Sequence, residues 1–522
     1  MWQSPSGLEL IILHYHFRPG GVRRVIEMAA PAILRAGKTF RAVVLAAGEA
    51  PDKEWLAEFR RLVRPARLEV VTVPAFLYFA GQRGSTAGKE RAVRAGVKRL
   101  LGKADQENTL VWAHNPGLGR NHLLAREIAG SCGRTGIPLV LHHHDWWFEN
   151  RWRRWPELQQ CGAATPDDMA ETLFPKAATT RHAAINRADA KILEKHFGSR
   201  AIWQPNPMER GQTVSAARER SARRWLSGQL GDDSPVWIVP CRLLRRKNLC
   251  EALLLTRWLR PAAWLVTTGA ASSADEEAYA NALSDAAQTH HWRLRLGILS
   301  GRGLKKPSVP ELLAASEAVL LTSIQEGFGL PALEAAAARR PLIARNLPNI
   351  APDLAEFGFQ CPQSYDDILI APELFDAKAE VRRQRDLHGA WLKQMPRSCR
   401  AMAAKPDWPA RKANPGPVSF SRLTLAAQLE TLAHPAEDSW RLCSPLNPFL
   451  RLWRRRAARA ELRVTPWPAD REKRFGPAAY AEQLLKLPDP CASSNRSDAR
   501  AAQREFLRDR LKSSAWFPLL SD

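Results

Sequence analysis

Residues 317–344, EAVLLTSIQEGFGLPALEAAAARRPLIA, constrain the fold more than any other part of the chain. Residues 317–322 are an apolar run of strand length, and residues 331–338 are an alanine-rich segment that predicts a helix with proline at its start. A loop with two glycines joins them. In α/β sheets such loops form the ligand crevice, and the helix that follows presents unpaired N–H groups to an anion. The stretch therefore predicts a strand, loop and helix that bind an anionic ligand.

Two carboxylates flank this loop. Glu326 stands at its start, and Glu334 is expected in the first helical turn, eight residues later. Gly327 and Gly329 lack side chains that would keep a ligand from the backbone. Taken separately, these features have a simpler explanation, in which Glu334 complements the helix dipole and the glycines only form a turn.

The whole sequence E-G-F-G-L-P-A-L-E is more specific, because it resembles the E-x7-E signature of glycosyltransferase family 4. Members of that family are retaining enzymes with two facing Rossmann-like domains, the GT-B fold. The resemblance implies that Glu326 lies beside the donor sugar and that Glu334 holds the ribose hydroxyls of the nucleotide. It also implies that the loop amides contact sugar and phosphate; these belong to Gly327, Phe328, Gly329 and Leu330.

A basic segment upstream fits the same family. An apolar strand at Val236–Val239 precedes PCRLLRRKN, which resembles the family's G-R-L-x-x-x-K-N. The resemblance implies that Arg242 and Lys247 bind the donor diphosphate. Two cations five residues apart on a loop at a strand end can converge on one diphosphate. The alternative is a solvated basic loop.

The beginning of the chain repeats the order of strand, glycine loop and helix. Leu8–Leu13 is an apolar run, HYHFRPGG follows, and residues 22–35 have a helical pattern. Gly20 and Gly21 occupy the place of the family's N-terminal donor loop, so the resemblance implies that they approach the donor. The family has a glutamate where this chain has Arg23.

Further candidates follow the strands predicted at residues 110–113 and 138–142. His114 occupies the place of a family histidine that touches the donor sugar, and His144 with Asp145 resembles the family's T-x-H-D turn. A segment rich in tryptophan and arginine comes next, and it includes Trp146 and Arg151. Aromatic faces and guanidinium groups suit a sugar that carries an anion, so these four residues after His114 are predicted to contact the acceptor. A packed aromatic cluster with a solvated basic fringe is the alternative.

Three adjacent histidines, His142, His143 and His144, raise the question of a metal. Consecutive residues of a strand point to opposite faces, so His142 and His144 could cooperate only with further ligands, and none stands at a recognisable spacing. No D-x-D sequence follows an apolar strand in a position to bridge a diphosphate. We therefore predict no metal site and no cofactor, with a nucleotide-diphosphate sugar as co-substrate.

The length of 522 residues exceeds what one core usually fills, so two or more domains are expected. We predict an α/β protein with two facing Rossmann-like domains, the first at 1–208 on the acceptor side and the second at 209–435 on the donor side. Residues 420–432 are the predicted helix that crosses back over the first domain. Residues 436–522 are predicted to form a basic, mostly helical extension.

The net charge of +24 favours anionic partners. No recognisable nucleic-acid module is present, so nucleic acid is not expected. Eight cysteines without a C-x-x-C pair indicate reduced thiols, and no basic leader or run of 18 apolar residues is found. These features predict a cytoplasmic protein that is peripheral on the cytoplasmic face of a membrane.

The membrane prediction depends on residues 446–462. Leu446, Phe449, Leu450 and Trp453 line one helical face, and arginines line the others, which is typical of a helix on an anionic surface. Docking of the same face on the protein body is the alternative.

Together these patterns predict a metal-independent retaining glycosyltransferase. It would move a hexosyl unit from a nucleotide-diphosphate sugar to a glycan, lipid-linked or small hydroxyl acceptor. Two alternatives stay open. One is a non-catalytic basic scaffold that binds nucleic acid or anionic lipid, and the other is a sugar-nucleotide epimerase or phosphorylase of the same fold.

Overall fold

Two parallel β-sheets, each built from a different part of the chain, carry the architecture. The computed structural model describes residues 7–36, 39–211, 213–271, 273–301, 306–406, 416–486 and 498–521. The chain divides into two compact units: the first contains residues 1–209, 392–404 and 470–512, and the second contains residues 210–391, 405–469 and 513–522. The predicted α/β class, with two Rossmann-like sheets and a mostly helical C-terminal part, is confirmed.

The sheet of the first unit consists of parallel strands with apolar residues on both faces, as expected when helices cover both sides. In chain order its strands are β1 (Leu8–Leu13), β2 (Phe40–Ala47), β3 (Arg67–Thr72), β4 (Thr109–His114), β5 (Leu139–His143), β6 (Thr180–Ala184) and β7 (Ala201–Trp203). Their spatial order is β3-β2-β1-β4-β5-β6-β7. The order reverses between β1 and β4, and such a switch point is where open α/β sheets bind ligands.

The second unit has a similar parallel sheet. Its strands are β8 (Val236–Val239), β9 (Trp264–Thr267), β10 (Leu294–Arg295), β11 (Ala318–Leu321), β12 (Leu342–Arg345) and β13 (Gln363–Tyr365), in the spatial order β10-β9-β8-β11-β12-β13. Here the switch point lies between β8 and β11, where Ala318 is opposite Trp237. A short antiparallel pair is formed by β14 (Leu369–Ile370) and β15 (Val418–Ser419).

Helices connect the strands and form the C-terminal part. In chain order they are α1 (Gly21–Arg35), α2 (Lys53–Leu62), α3 (Thr86–Leu101), α4 (His122–Thr135), α5 (Trp155–Gln160), α6 (Pro166–Leu173), α7 (Arg187–Phe197), α8 (Ala216–Leu230), α9 (Leu249–Leu259), α10 (Ala274–Thr289), α11 (Val309–Ala315), α12 (Leu330–Ala337), α13 (Ala351–Glu356), α14 (Ala377–Gln394), α15 (Arg397–Arg400), α16 (Leu425–Ala433), α17 (Ala436–Cys443), α18 (Phe449–Ala458), α19 (Glu472–Phe475), α20 (Pro477–Leu485), α21 (Ala499–Arg510) and α22 (Pro518–Ser521).

Residues 436–522 are distributed over both units. Helices α17 and α18 pack against α9 in the second unit, whereas α20 packs on α1 and α21 packs on α6 and α7 in the first unit. The predicted crossing-back segment, 420–432, contains α16, which packs on α9 within the second unit. The stretches that rejoin the first unit are instead residues 392–404 and 470–512. Tyr480 and Leu484 of α20 join the apolar core around β1 and α1, which explains this assignment.

The apolar face of α18 is docked on the protein, so the alternative to the membrane prediction holds for that face. Leu450 and Trp453 are 0% and 5% exposed in the core of the second unit. Phe449 and Leu452 on the same helix are 37% and 41% exposed, however, and Leu442 of α17 is 46% exposed. Helical periodicity alone could not separate the buried residues from the exposed ones. Among the described residues, no helix is long and apolar enough to cross a membrane.

Candidate functional site

The centre of the candidate site in the second unit is the carboxylate of Glu326. Its Oε2 atom lies 2.9 Å from a guanidinium nitrogen of Arg246, and its Oε1 atom accepts hydrogen bonds from the Lys247 ammonium and, at 2.6 Å, from the Ser323 hydroxyl. The Asn349 amide holds the Glu326 carbonyl oxygen at 2.6 Å. The residue is 8% exposed. A buried carboxylate is thus held by two cations and a hydroxyl.

Two strand-end loops meet at this carboxylate because β8 and β11 are neighbours at the switch point. The loop after β8 carries Lys247, and the loop after β11 carries Glu326. Hydrogen bonds also join the two loops directly: the Thr322 hydroxyl donates to the Lys247 carbonyl oxygen at 2.9 Å, and the Ile324 amide donates to the Arg246 carbonyl oxygen at 2.9 Å. The loops therefore form one connected unit.

The charges of this cluster decide the protonation state of Glu326. Burial alone would raise the pKa of its carboxyl group, but Lys247 and Arg246 outweigh burial and lower the pKa to about 2. Glu326 is therefore ionised at neutral pH. An ionised, immobile carboxylate at a strand end can accept hydrogen bonds from a bound hydroxyl-rich ligand.

The cations predicted to bind the donor diphosphate are in different environments. Lys247 is 8% exposed and paired with Glu326, so in this structure its charge is directed at the carboxylate. Arg242 is exposed, and its guanidinium has no hydrogen-bond or ion-pair partner in the part of the chain that the structure describes. Its charge is available to an anion. The structure therefore separates an accessible cation from one that positions Glu326.

The helix after the loop, α12, begins at Leu330, with Gly329 as its cap at φ 91°. This φ favours glycine, and a Cβ atom there would lie 3.0 Å from Ile350 Cδ1. Glu334 is the fifth residue of α12 and is partly exposed. It therefore begins the second turn of the helix, whereas the sequence predicted it in the first turn. The predicted helix starts one residue too late, which explains the difference.

Among the predicted loop contacts, Phe328 anchors the loop. Its ring is 4% exposed and lies 5.5 Å from the ring of Phe357, measured between centroids. Its side chain packs inside the protein, so a ligand could meet only the backbone of Phe328. The predicted role of these amides stays a prediction.

In the first unit, Gly20 and Gly21 are exposed at the amino end of α1, after β1. A Cβ atom on Gly20 would meet no protein atom closer than the Arg18 carbonyl oxygen at 4.0 Å. Arg23, which replaces the family's glutamate, pairs with Glu27 at 2.9 Å. Contact of the two glycines with a donor stays a prediction.

His114 lies at the end of β4, directly opposite His142 of β5. Its ring is buried, with 3% of the residue exposed, and its Nδ1 atom lies 3.1 Å from Nε2 of the partly exposed His144. The structure thus brings together His114 and His144, which were predicted separately, and adds His142. A direct contact of His114 with a sugar stays a prediction.

The predicted acceptor residues after β5 are mostly engaged with one another. Asp145 exchanges two hydrogen bonds of 3.0 Å with Asn115, and Arg151 donates to Asp145 at 3.2 Å and to the Trp146 carbonyl oxygen at 2.8 Å. The Trp146 side chain donates to Asp189 at 2.8 Å. This arrangement braces the turn after β5.

Trp146 cannot offer its face to an acceptor in this structure, which corrects the prediction. It is 1% exposed, and its ring packs 4.6 Å from Phe506 of α21 and 4.5 Å from His143, measured between centroids. The alternative interpretation of the tryptophan-rich segment, a packed aromatic cluster, therefore describes it better. Phe506 lies far away in the sequence, so no local pattern could indicate this packing.

Three residues of the cluster were not predicted from the sequence: Arg246, Ser323 and Asn349. Arg246 is adjacent to Lys247, and Ser323 stands three residues before Glu326, so their closeness to the motif residues could have indicated both. Asn349 lies beyond β12, and no local pattern singles it out.

Comparison with known proteins agrees with this geometry. Residues 227–372, which include β8, Glu326 and α12, match the model of the family described as glycosyl transferases group 1. The chain is 22% identical over 349 residues to mannosylglucosyl-3-phosphoglycerate synthase of Petrotoga mobilis, a match that spans 65% of this chain and 65% of that protein. It is also 22% identical over 278 residues to mannosylglucosylglycerate synthase of the same organism, with 48% and 61% covered. The chain thus spans less than two thirds of either relative.

A solved structure shares the fold. The crystal structure of Anabaena Alr3699/HepE in complex with UDP-glucose has a TM-score of 0.50 and 16% identity, with 92% of this chain and 98% of that chain covered. The two parallel sheets therefore have the GT-B fold, and residues 227–372 match a glycosyl transferases group 1 domain.

The Glu326 cluster predicts a pH dependence of stability. The pKa of the Glu326 carboxyl group is lower in the folded state than its unfolded value of 4.5. The contribution of this carboxylate to stability is therefore present above pH 4.5 and is lost as the pH falls towards about 2. Glu326→Gln should remove this contribution, on the order of 3 kcal/mol at neutral pH. Urea unfolding of wild type and variant at several pH values measures it.

The matched control is Glu430→Gln, which removes a carboxylate 34% exposed in a pair with Arg383 in the same unit. The free-energy difference between wild type and Glu326→Gln should shrink with acid more than that for the control. A difference that does not change between pH 7 and pH 3 contradicts the role of the buried cluster.

Proposed function

We propose that the protein is a retaining glycosyltransferase that moves a hexosyl unit from a nucleotide-diphosphate sugar to a hydroxyl acceptor. The observation that carries the proposal is the ionised Glu326 carboxylate, held by Lys247 and Arg246 where two loops meet at a switch point. This cluster lies inside the segment that matches the glycosyl transferases group 1 model. The acceptor is a glycan, a lipid-linked sugar or a small hydroxyl compound.

Two of the similar proteins support the donor class. The Petrotoga mobilis relative is named as a synthase of a mannosylglucosyl compound, and the Anabaena protein binds UDP-glucose. In the proposed donor complex, Glu334 accepts hydrogen bonds from the ribose diol. Arg242 and the amides at the start of α12 face the diphosphate.

The proposed chemistry needs no nucleophile from the protein. The acceptor hydroxyl attacks the anomeric carbon from the side on which the nucleoside diphosphate departs, the bond from that carbon to the phosphate oxygen breaks, and the hydroxyl proton passes to the departing phosphate, so the anomeric configuration is retained. Negative charge grows on the departing phosphate, and the accessible Arg242 with the α12 amides stabilises it in place of a metal. Lys247 and Arg246 hold Glu326 in position beside the sugar, where it accepts hydrogen bonds from its hydroxyls.

A binding experiment tests the division of labour between the carboxylates. Glu334→Ala should weaken binding of free nucleotide, because charged hydrogen bonds to a ribose diol contribute roughly 1.5 to 3 kcal/mol. Glu326→Gln, which keeps the shape of the side chain, should spare free nucleotide and weaken only the nucleotide sugar. Calorimetric titration of the full chain with UDP, ADP and GDP and their glucose and mannose derivatives measures both.

Glu430→Ala serves as the control for loss of an unrelated carboxylate in the same unit. Equal loss of free-nucleotide binding in the Glu334 and Glu326 variants would contradict the proposed roles. Absence of binding for the whole panel would contradict the proposed function itself.

The stereochemical course is tested by NMR of the product formed from an α-linked donor. An α-anomer as the first product is expected. A β-anomer as the first product would contradict retention. The control is the Arg242→Met variant, which should form the same anomer more slowly, since only the stabilisation of the leaving group is reduced.

A peripheral contact with anionic membrane surfaces is proposed for the exposed residues of α17 and α18. Leu442, Phe449 and Leu452 are exposed apolar side chains, and Arg451 and Arg455 are exposed beside them. Basic residues near an anionic surface each contribute about 1 kcal/mol, and apolar side chains add to this by insertion. This surface replaces the docked face of Leu450 and Trp453 as the contact.

Sedimentation with vesicles tests the membrane contact. The full chain should bind vesicles rich in phosphatidylserine at low salt, release them at high salt, and ignore neutral vesicles, because exposed charges are screened beyond roughly 8 Å at physiological ionic strength. Phe449→Ser with Leu452→Ser should reduce binding, whereas Leu62→Ser, a 42% exposed apolar residue of the first unit, should not. Equal binding of both variants would contradict the assignment of the surface.

A further inference from the structure

Three imidazole rings converge in the first unit, at the carboxyl ends of β4 and β5. His114 ends β4, His142 lies in β5, and His144 follows β5. One ring nitrogen from each lies within 4.8 Å of those from the other two. This histidine cluster, defined by these three residues, is the group of potential metal ligands that the described part of the chain contains.

Strand geometry brings the three rings together. The parallel register places His114 directly opposite His142. Residues two apart on an extended chain share a face, so His144 lies beside His142, with ring centroids 4.4 Å apart. His143 points to the other face and stacks on Trp146. The spacing of residues along β5 offers no third ligand, and His114 on the neighbouring strand supplies one.

The hydrogen bonds of His142 define which of its ring nitrogens carries the proton. Its Nε2 atom lies 3.3 Å from the Gln204 carbonyl oxygen, and a carbonyl only accepts, so Nε2 carries the proton. Nδ1 is then the lone-pair nitrogen, and it accepts a hydrogen bond of 3.3 Å from the Tyr480 hydroxyl, which a bound ion would replace. A ring N–H donated to a backbone carbonyl is the usual support of a metal-binding histidine.

The other two rings are at a suitable separation. His114 Nδ1 and His144 Nε2 are 3.1 Å apart. Tetrahedral coordination with Zn–N bonds of 2.0–2.1 Å requires a separation of about 3.4 Å between ligand nitrogens, so a small rotation is sufficient. The second nitrogen of His114, Nε2, is buried without a hydrogen-bond partner among the described residues. The His114 ring is therefore held by packing and by its contact with His144.

Access and ligand chemistry select the kind of ion. His144 is the most exposed residue of the three. Neutral imidazoles favour zinc, copper and nickel over magnesium and calcium, which prefer oxygen ligands. Three nitrogens leave a fourth tetrahedral position for water.

We propose that His114, His142 and His144 form a three-nitrogen site for a divalent transition-metal ion of the zinc class. The site lies in the first unit, whereas the Glu326 cluster belongs to the second unit, so the two sites use different residues. An ion that binds the folded protein stabilises it in proportion to its concentration relative to the dissociation constant. The first unit thus gains stability from the ion.

The test uses the full chain without a histidine tag, stripped of metals by dialysis against a chelator. Titration with Zn²⁺ should raise the melting temperature, and metal analysis after gel filtration should find one ion per chain, whereas Mg²⁺ should have no effect. Co²⁺ should give the visible absorption of tetrahedral coordination without a thiolate charge-transfer band, which distinguishes histidine from cysteine ligands.

The variant His144→Ala should weaken the affinity for Zn²⁺ at least about tenfold, as expected for removal of a ligand. His144 is partly exposed, so the variant should fold, and circular dichroism checks this; His142→Asn is the second variant. His196→Ala controls for binding at a surface histidine, because His196 pairs with Glu505 in the same unit. Tenfold weakening in both ligand variants but not in the control supports the site.

Three results overturn the proposal. They are no binding of Zn²⁺ or Co²⁺ by the full chain, affinity in His144→Ala and His142→Asn equal to that of the wild type, and a thiolate band in the Co²⁺ spectrum. Any of them means that the cluster is only a packed group of neutral imidazoles.

Discussion

The buried charge of Glu326 is the constraint on which the second unit's ligand-facing loops depend. A carboxylate removed from water costs several kcal/mol unless cations and hydrogen bonds replace the solvent. Lys247, Arg246 and Ser323 meet this requirement, and they come from both loops at the switch point between β8 and β11. The loops therefore cannot separate without exposing an unpaired charge. The same interaction fixes the position of the carboxylate that is proposed to accept hydrogen bonds from the sugar hydroxyls.

Much of the fold was predictable because parallel strands covered on both faces appear as continuous apolar runs. Leu8–Leu13 and Val236–Val239 were predicted with their observed bounds. The motif around Glu326 was equally visible, since its loop and helix are contiguous. The features that the sequence did not predict depend on contacts between residues that are distant in the chain. The partner of Lys247 lies on another loop, and the ring that packs on Trp146 belongs to Phe506 near the end of the chain.

The histidine cluster and α18 both show what local sequence patterns leave undefined. Alternation along β5 correctly places His142 and His144 on one face, but only the register between β4 and β5 brings His114 to them. Helical periodicity correctly groups Leu450 and Trp453, but a membrane and a protein core demand the same pattern. Local sequence defines which side chains share a face. It does not define what that face meets.

The return of the chain to the first unit determines when that unit can finish folding. Tyr480 and Leu484 of α20 complete the core around α1, so the two partners are separated by most of the chain. At a synthesis rate of about 5–20 residues per second, α1 waits on the order of tens of seconds on the ribosome before α20 emerges. Until then the part of the apolar surface that Tyr480 and Leu484 cover has no native partner. The nascent first unit is therefore expected to depend on chaperones, and separate expression of residues 1–209 should yield an aggregation-prone product.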